Sequence, residues 1–351
     1  MKTTLRRNIY ATGLVVIALL LSSCSSIGPQ TVARDRFEYG GSIGESWKRQ
    51  TLLNIVKVRY LDPPIFLDVG QIVAGYTLES TISVGGTFER NGDNLSLGGA
   101  GRYTDRPTVT YTPLTGNRFV RSLMTPLPPE SVFYTIQSGW PADNVLGAAV
   151  ASLNGLKNQE SGITGVMPPD PDFVRVLELL RKIQLSGAVA VRIQQDAQKK
   201  HTTILTFHAK NIPQETVDNI AEVRRLLRLN PDEQEFKLVF AAAPANDREL
   251  AVLTRSLTHI MAMIAAHVTV PAEDIEAGRA TPGMAHPKLR IGCSDNRPSD
   301  AFVAVLYRNR WFWIDDRDLY TKRVFAFMML LFTLADSGDR ENLPLITIPA
   351  Q

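Results

Sequence analysis

The chain is poor in the residues that would point to the commonest chemistries. Only two cysteines occur in 351 residues, Cys24 and Cys293, which excludes a disulfide framework. A chain of this length can rely on its apolar core instead. The five histidines include no His-Glu-x-x-His or other ligand spacing, so no metal site is expected. His259 and His267 are separated by about 80° around a helix and do not converge. Charge of one sign is not concentrated anywhere, which argues against a nucleic-acid partner. Apolar runs are short: Ile9–Leu21, interrupted by Thr12 and Gly13, and Phe325–Phe332. A membrane-spanning helix needs about 20 such residues. No glycine-rich loop has the lysine and strand–helix context of a phosphate site, no cofactor is implied, and no solenoid or propeller repeat recurs.

What is present begins at the N-terminus. Lys2, Arg6 and Arg7 precede the Ile9–Leu21 apolar stretch, and small residues Ser22 and Ser23 follow it. That order is a secretory signal, with the basic side retained and the rest exported. The signal would take away three basic residues and no acidic ones. The balance of 38 basic against 35 acidic residues then becomes 35 against 35.

Leu21-Ser22-Ser23-Cys24 resembles the lipobox of bacterial lipoproteins. The resemblance implies cleavage between Ser23 and Cys24, diacylglycerol on the Cys24 thiol, and a further acyl chain on the new amino group. Ser25, where Gram-negative families commonly place a retaining aspartate, resembles the outer-membrane sorting class. The expected location is the periplasmic face of that membrane. The partner implied at this stage is the bilayer, held through the N-terminal lipid. With Cys24 acylated, Cys293 has no internal partner and is expected as a small buried or semi-buried residue, with a reactive thiol or intermolecular bridge as the alternative.

Four segments are expected: a signal at 1–23, a lipidated tether at 24–44, an N-terminal α+β region at 45–160, and a C-terminal α/β-type region at 172–351. A helix from about Glu45 carries Leu52, Leu53, Val56 and Tyr60 and ends before Asp62-Pro63-Pro64. From 80 to 112, Ile82, Val84, Leu95, Leu97, Val109 and Tyr111 alternate with Ser, Thr or Gly. The pattern predicts a three-stranded glycine-rich antiparallel meander turning at Asn91-Gly92-Asp93. Helices are expected at 115–125, 129–138 and 142–153. Segment 154–171, rich in Gly, Pro, Asn and Ser, is the expected domain boundary. Beyond it come a helix from Phe173, strands at 188–193 and 203–209, a helix at 214–229, a strand at 235–241, and a long helix at 247–267. A hairpin around Arg308-Asn309-Arg310, a helix at 321–335 and a strand at Leu345–Ile348 complete an α+β fold, with a mixed sheet packed by helices in the second half.

Few residues stand out as candidate chemistry, and none is assigned as catalytic. Gly40-Gly41-Ser42-Ile43-Gly44 matches a nucleophile elbow in letters, but no preceding strand exists to hold it. Trp311 and Trp313 fall on one face of their strand, a surface on which a sugar could stack, or a piece of core. Asp315, Asp316 and Asp318 lie between strand and helix. There they could form an acid or cation site, or cap the helix. The segments Thr108–Leu114 and Trp311–Asp318 resemble uncharacterised proteobacterial lipoproteins, a likeness that supplies no site residues. The first expectation is therefore a non-enzymatic, lipid-anchored binding or assembly module of the envelope with a protein or glycan partner. The alternatives are an envelope hydrolase built on Asp315–Asp318, and an accessory subunit of a transport or secretion complex.

Overall fold

A computed structural model describes residues 29–73, 75–89, 92–162, 165–195, 201–208, 212–282 and 289–335. Ser23, Cys24 and the expected strand Leu345–Ile348 lie outside them. The chain is α+β, and Arg49–Gln351 clusters as one compact unit, Met1–Lys48 as another.

Helix α1 spans Pro29–Arg59, so the expected tether is already helical from Pro29 rather than from Glu45. Proline at the first helical position presets φ where no N–H partner is needed. Gly40, Gly41 and Gly44 lie inside this helix, each at a cost of about 1 kcal/mol. The elbow-like motif is therefore helical. Leu52, Ile55 and Val56 are fully buried. Asn54, a polar residue between them, is buried too. Its side-chain amide donates to Ile65 O (2.8 Å) and accepts from Ile65 N (3.0 Å), tying the helix to the chain that returns past the prolines.

Next comes a long antiparallel ribbon rather than a three-stranded meander. Strands β1 (Leu67–Val73), β2 (Tyr76–Glu89), β3 (Gly92–Asp105) and β4 (Thr108–Pro113) pair as β2 with β3 and β1 with β4. The expected third strand thus turns back to an earlier segment instead of extending the hairpin. Residues 90–91, and with them Asn91 of the expected Asn91-Gly92-Asp93 turn, lie outside the described set. Short helix α2 (Gly116–Phe119) runs into a π-turn, followed by α3 (Pro129–Gln137) and α4 (Ala142–Ala149).

The chain then leaves the helix earlier than its apolar pattern suggests, as β5 (Val150–Leu153) and β6 (Leu156–Lys157). A small hairpin, β7 (Glu160–Gly162) and β8 (Gly165–Met167), precedes α5 (Pro171–Leu185). Then come β9 (Val189–Gln195), β10 (His201–Phe207), α6 (Gln214–Leu226), β11 (Glu235–Val239) and β12 (Glu249–Thr254). The six-stranded sheet has order β6-β5-β12-β11-β10-β9, parallel only between β11 and β12. It joins strands from both sides of 154–171, so the expected domain boundary falls within one unit.

Where one long helix was expected at 247–267, β12 is followed by α7 (Leu257–Ala265). Leu250, Ala251 and Val252 are buried, because β12 is an inner strand covered on both faces. Such a strand reads as a continuous apolar run, which periodicity alone does not separate from a helix. Ser256 breaks the two apart and caps α7, its hydroxyl accepting from His259 N at 3.2 Å. Helix α8 (Ala272–Glu276), strands β13 (Gly292–Ser294), β14 (Ala301–Tyr307) and β15 (Arg310–Asp315), and helix α9 (Leu319–Ala335) complete the chain. The second sheet has order β13-β15-β14. Phe327 of α9 meets Trp140 at 5.2 Å and Phe325 meets Phe302 at 6.3 Å, so one core serves both sheets.

His267, just past α7, is held neutral by its burial, which lowers its pKa, and its Nδ1 has no partner. The unfolded chain takes up this proton near pH 6.5, whereas the fold resists it. Stability is therefore full above that pH and falls as acid is added below it. In urea titrations from pH 7 to 5, His267→Gln is expected to flatten this slope; an unchanged slope would remove His267 as its cause.

Candidate functional site

The candidate residues of the sequence converge on the end of β15. Arg308 and Asn309, both with positive φ (49° and 61°), form the tight turn that sets the β14–β15 register. That register buries Phe312 and Ile314 and puts Trp311 and Trp313 on the opposite face. The tryptophans then part company. Trp311 is covered by the Arg297 guanidinium, 5.5 Å from its ring centre. Trp313 lies over Gly292 of β13 and lines an open cleft of about 650 Å³ with Thr269, Arg290, Gly292, Asp315, Arg317 and Asp318. Trp311 and Asp316 stand outside it.

Each aspartate is occupied. Asp315 accepts from the Arg317 backbone N (2.8 Å) and Nε (3.2 Å), and these bonds hold its carboxyl below the usual range. Arg317 also reaches Asp300 at 2.8 Å. Asp316 pairs with Lys322 Nζ at 2.6 Å. Asp318 caps α9, accepting from Thr321 N (3.0 Å) and Thr321 Oγ1 (2.7 Å). Thr321 Oγ1 in turn accepts from Arg290 N at 2.9 Å, which fixes the strand-side wall of the cleft. A hydrolytic carboxylate pair needs one acid kept protonated. Asp315, Asp316 and Asp318 accept hydrogen bonds from Arg317, Lys322 and Thr321, and the cleft presents a polar wall beside an indole.

Arg290 is exposed and has no ion-pair partner among the described residues. Neither it nor Thr269 or Gly292 was accessible to sequence reasoning. They lie 20 residues or more from Asp315 in the chain, with no spacing that announces them. Gly292 has a definite role. A Cβ there would stand 2.8 Å from Trp313 Cε2, so only glycine lets the ring lie down on the strand. Gly292→Ala is expected to push the ring outward. A shift in intrinsic tryptophan fluorescence would record the movement, and an unchanged spectrum would contradict it.

A second, apolar cavity of about 260 Å³ lies among Phe133, Ile136, Leu146, Leu180, Val191 and Leu205. Its polar rim is satisfied: Gln184 donates to Ile136 O (2.8 Å) and Trp140 O (2.7 Å) and accepts from Ala142 N (3.0 Å). His259 lies outside both cavities and pairs with Glu160 at 2.9 Å. Cys293, half-buried, has its thiol pKa pushed up mainly by burial, the opposite of an activated nucleophile. Among the described residues, no group of three or more His, Cys, Asp or Glu is placed to hold a metal, and no helix is long and apolar enough to cross a membrane. No family model matches the chain, and comparisons with curated proteins and with solved structures find no match.

Proposed function

We propose that this chain is a lipid-anchored envelope protein, attached through Cys24 at the periplasmic face of the outer membrane, that acts as a non-enzymatic binding or assembly module. The observation that carries the non-enzymatic part is the engagement of Asp315 and Asp318, one by Arg317 and one by the N-terminus of α9. What remains available in the cleft is recognition chemistry. An indole face, the exposed Arg290 guanidinium and the Thr269 side chain suit a polar ring such as a sugar of the envelope.

N-Acetylglucosamine oligosaccharides, titrated against the purified chain, test the cleft. Trp313→Ala is expected to weaken binding about tenfold or more, the loss of one stacking contact of about 1.5 kcal/mol. Asp315→Asn and Asp316→Asn are expected to show no turnover of cell-wall material, like the parent chain. Turnover by the parent that either variant abolishes would replace this reading with the hydrolase. Equal binding by Trp313→Ala would remove the cleft from it.

A further inference from the structure

The β1–β4 ribbon is the least explained part of the fold. β2 and β3 pair along 14 residues each, and among the described strands neither pairs with a third strand alongside. An isolated two-stranded hairpin is marginal in water. Its register runs on without slip through Arg106 N to Gly75 O (2.9 Å) into β1 and β4, so Val73↔Thr108 and Tyr76↔Asp105 belong to one ladder. The bulge between Val69 and Gln71 keeps Leu67, Val69 and Ile72 on the face of Val109 and Tyr111.

The register divides the residues sharply. Tyr76, Leu78, Ile82, Val84 and Phe88 share a face with Leu95, Leu97, Gly99, Gly101 and Tyr103, interrupted only by Ser80 and Gly86 and, at the ends, by Asp93 and Asp105. Its only charges, Asp93 and Asp105, stand at the two ends. Aromatic residues also mark the ends, with Tyr76 and Tyr103 at the base and Phe88 near the turn. The opposite face carries Thr77, Glu79, Thr81, Ser83, Thr87, Asn94, Ser96, Arg102 and Thr104. Fourteen residues extend about 46 Å, and a tilted strand of about 9–11 residues crosses a bilayer. The apolar face of β2–β3 covers about 440 Å², as large as the patches that mark interaction surfaces.

We propose that the ribbon spans a membrane as one hairpin of an oligomeric β-barrel, its apolar face on hydrocarbon and its polar face lining the lumen. Among the described residues no further strand pairs with either edge of β2–β3, and hydrocarbon does not tolerate an open edge, so each edge must pair with a second copy of this chain until the ring closes. The smallest such barrels have about eight strands, hence about four copies or more. The inference goes beyond the binding-module reading and uses only its anchor, which brings the hairpin to a bilayer. The cleft is not involved.

The full acylated chain, reconstituted in vesicles and planar bilayers of phosphatidylethanolamine and phosphatidylglycerol, tests the barrel. Crosslinked oligomers and stepwise ion conductance are expected. Ile82→Glu and Leu97→Glu, on the apolar face, should abolish conductance and return the protein to monomer while the thermal transition of the body stays in place. Thr81→Glu and Ser96→Glu, on the polar face, should keep the oligomer and shift its selectivity toward cations. A parent chain that stays monomeric, or that oligomerises without conductance, overturns the proposal. So does conductance of Ile82→Glu and Leu97→Glu equal to the parent's. Oligosaccharide binding persisting in the apolar-face variants separates this result from the fate of the cleft.

Discussion

Arg255→Met is expected to lower the stability of the folded chain by about 2–4 kcal/mol. Arg255 is 1% exposed at the end of β12. Its Nη1 donates to Gly147 O (3.1 Å) and Ala148 O (3.2 Å), the last carbonyls of α4, which have no partner within the helix. Its Nη2 donates to Gln159 O and lies 3.7 Å from Glu160. Burial lowers its pKa, with Glu160 as the main compensation. Methionine fills similar space but supplies no donor; Gly147 O keeps its bond from Asn158 Nδ2 (2.8 Å), whereas Ala148 O loses the donor it takes from Arg255, and a buried carbonyl without a donor costs about 1–3 kcal/mol. Glu160→Gln, by contrast, removes a partner that is 39% exposed, and about 1 kcal/mol or less should be lost. Urea unfolding of both variants checks the contrast. A loss below about 1 kcal/mol for Arg255→Met would show the helix end to be satisfied by other means.

Cys24→Ala is expected to remove the protein from the outer-membrane fraction. Cys24 lies outside the described residues, and the expected loss follows from the Leu21–Cys24 motif and from lipid energetics. Each buried methylene contributes about 0.8 kcal/mol. One myristoyl-length chain binds only marginally, whereas two or three hold essentially permanently. Without the thiol no diacylglycerol can be attached. Intact mass should then show no acyl group and residues 1–23 still in place. A variant that is cleaved, carries acyl mass and fractionates like the parent would refute the lipoprotein reading. If the ribbon also engages the bilayer, the variant tells the two attachments apart. Lipid loss alone should leave conductance intact once the protein is added to a bilayer at high concentration.

Much of the local structure was legible because it rests on short-range periodicity. The helix from Phe173, strands 189–195 and 201–207, the hairpin around Arg308 and Asn309, and the alternation from Ile82 to Tyr111 each follow from neighbours in sequence. Capping was legible too: Asp318 does what an aspartate before a helix does. Other features were hidden by the same logic. Gly40, Gly41 and Gly44 look like tether residues, yet a helix that has already started gains a hydrogen bond per residue and carries them. Leu250–Val252 looks helical, and pairing with β11 and β5 makes it a strand.

The sequence by itself determined the strand alternation of the ribbon and the face on which Trp311 and Trp313 lie, because each is set within a few residues. The tertiary structure alone decided which strand pairs with Thr108–Pro113, that one sheet crosses 154–171, and that Arg290, Gly292 and Thr269 stand beside Trp313. Those outcomes depend on contacts between residues far apart in the chain. Their formation costs loop-closure entropy and is compensated by burial of shared apolar surface, a balance that no local pattern encodes.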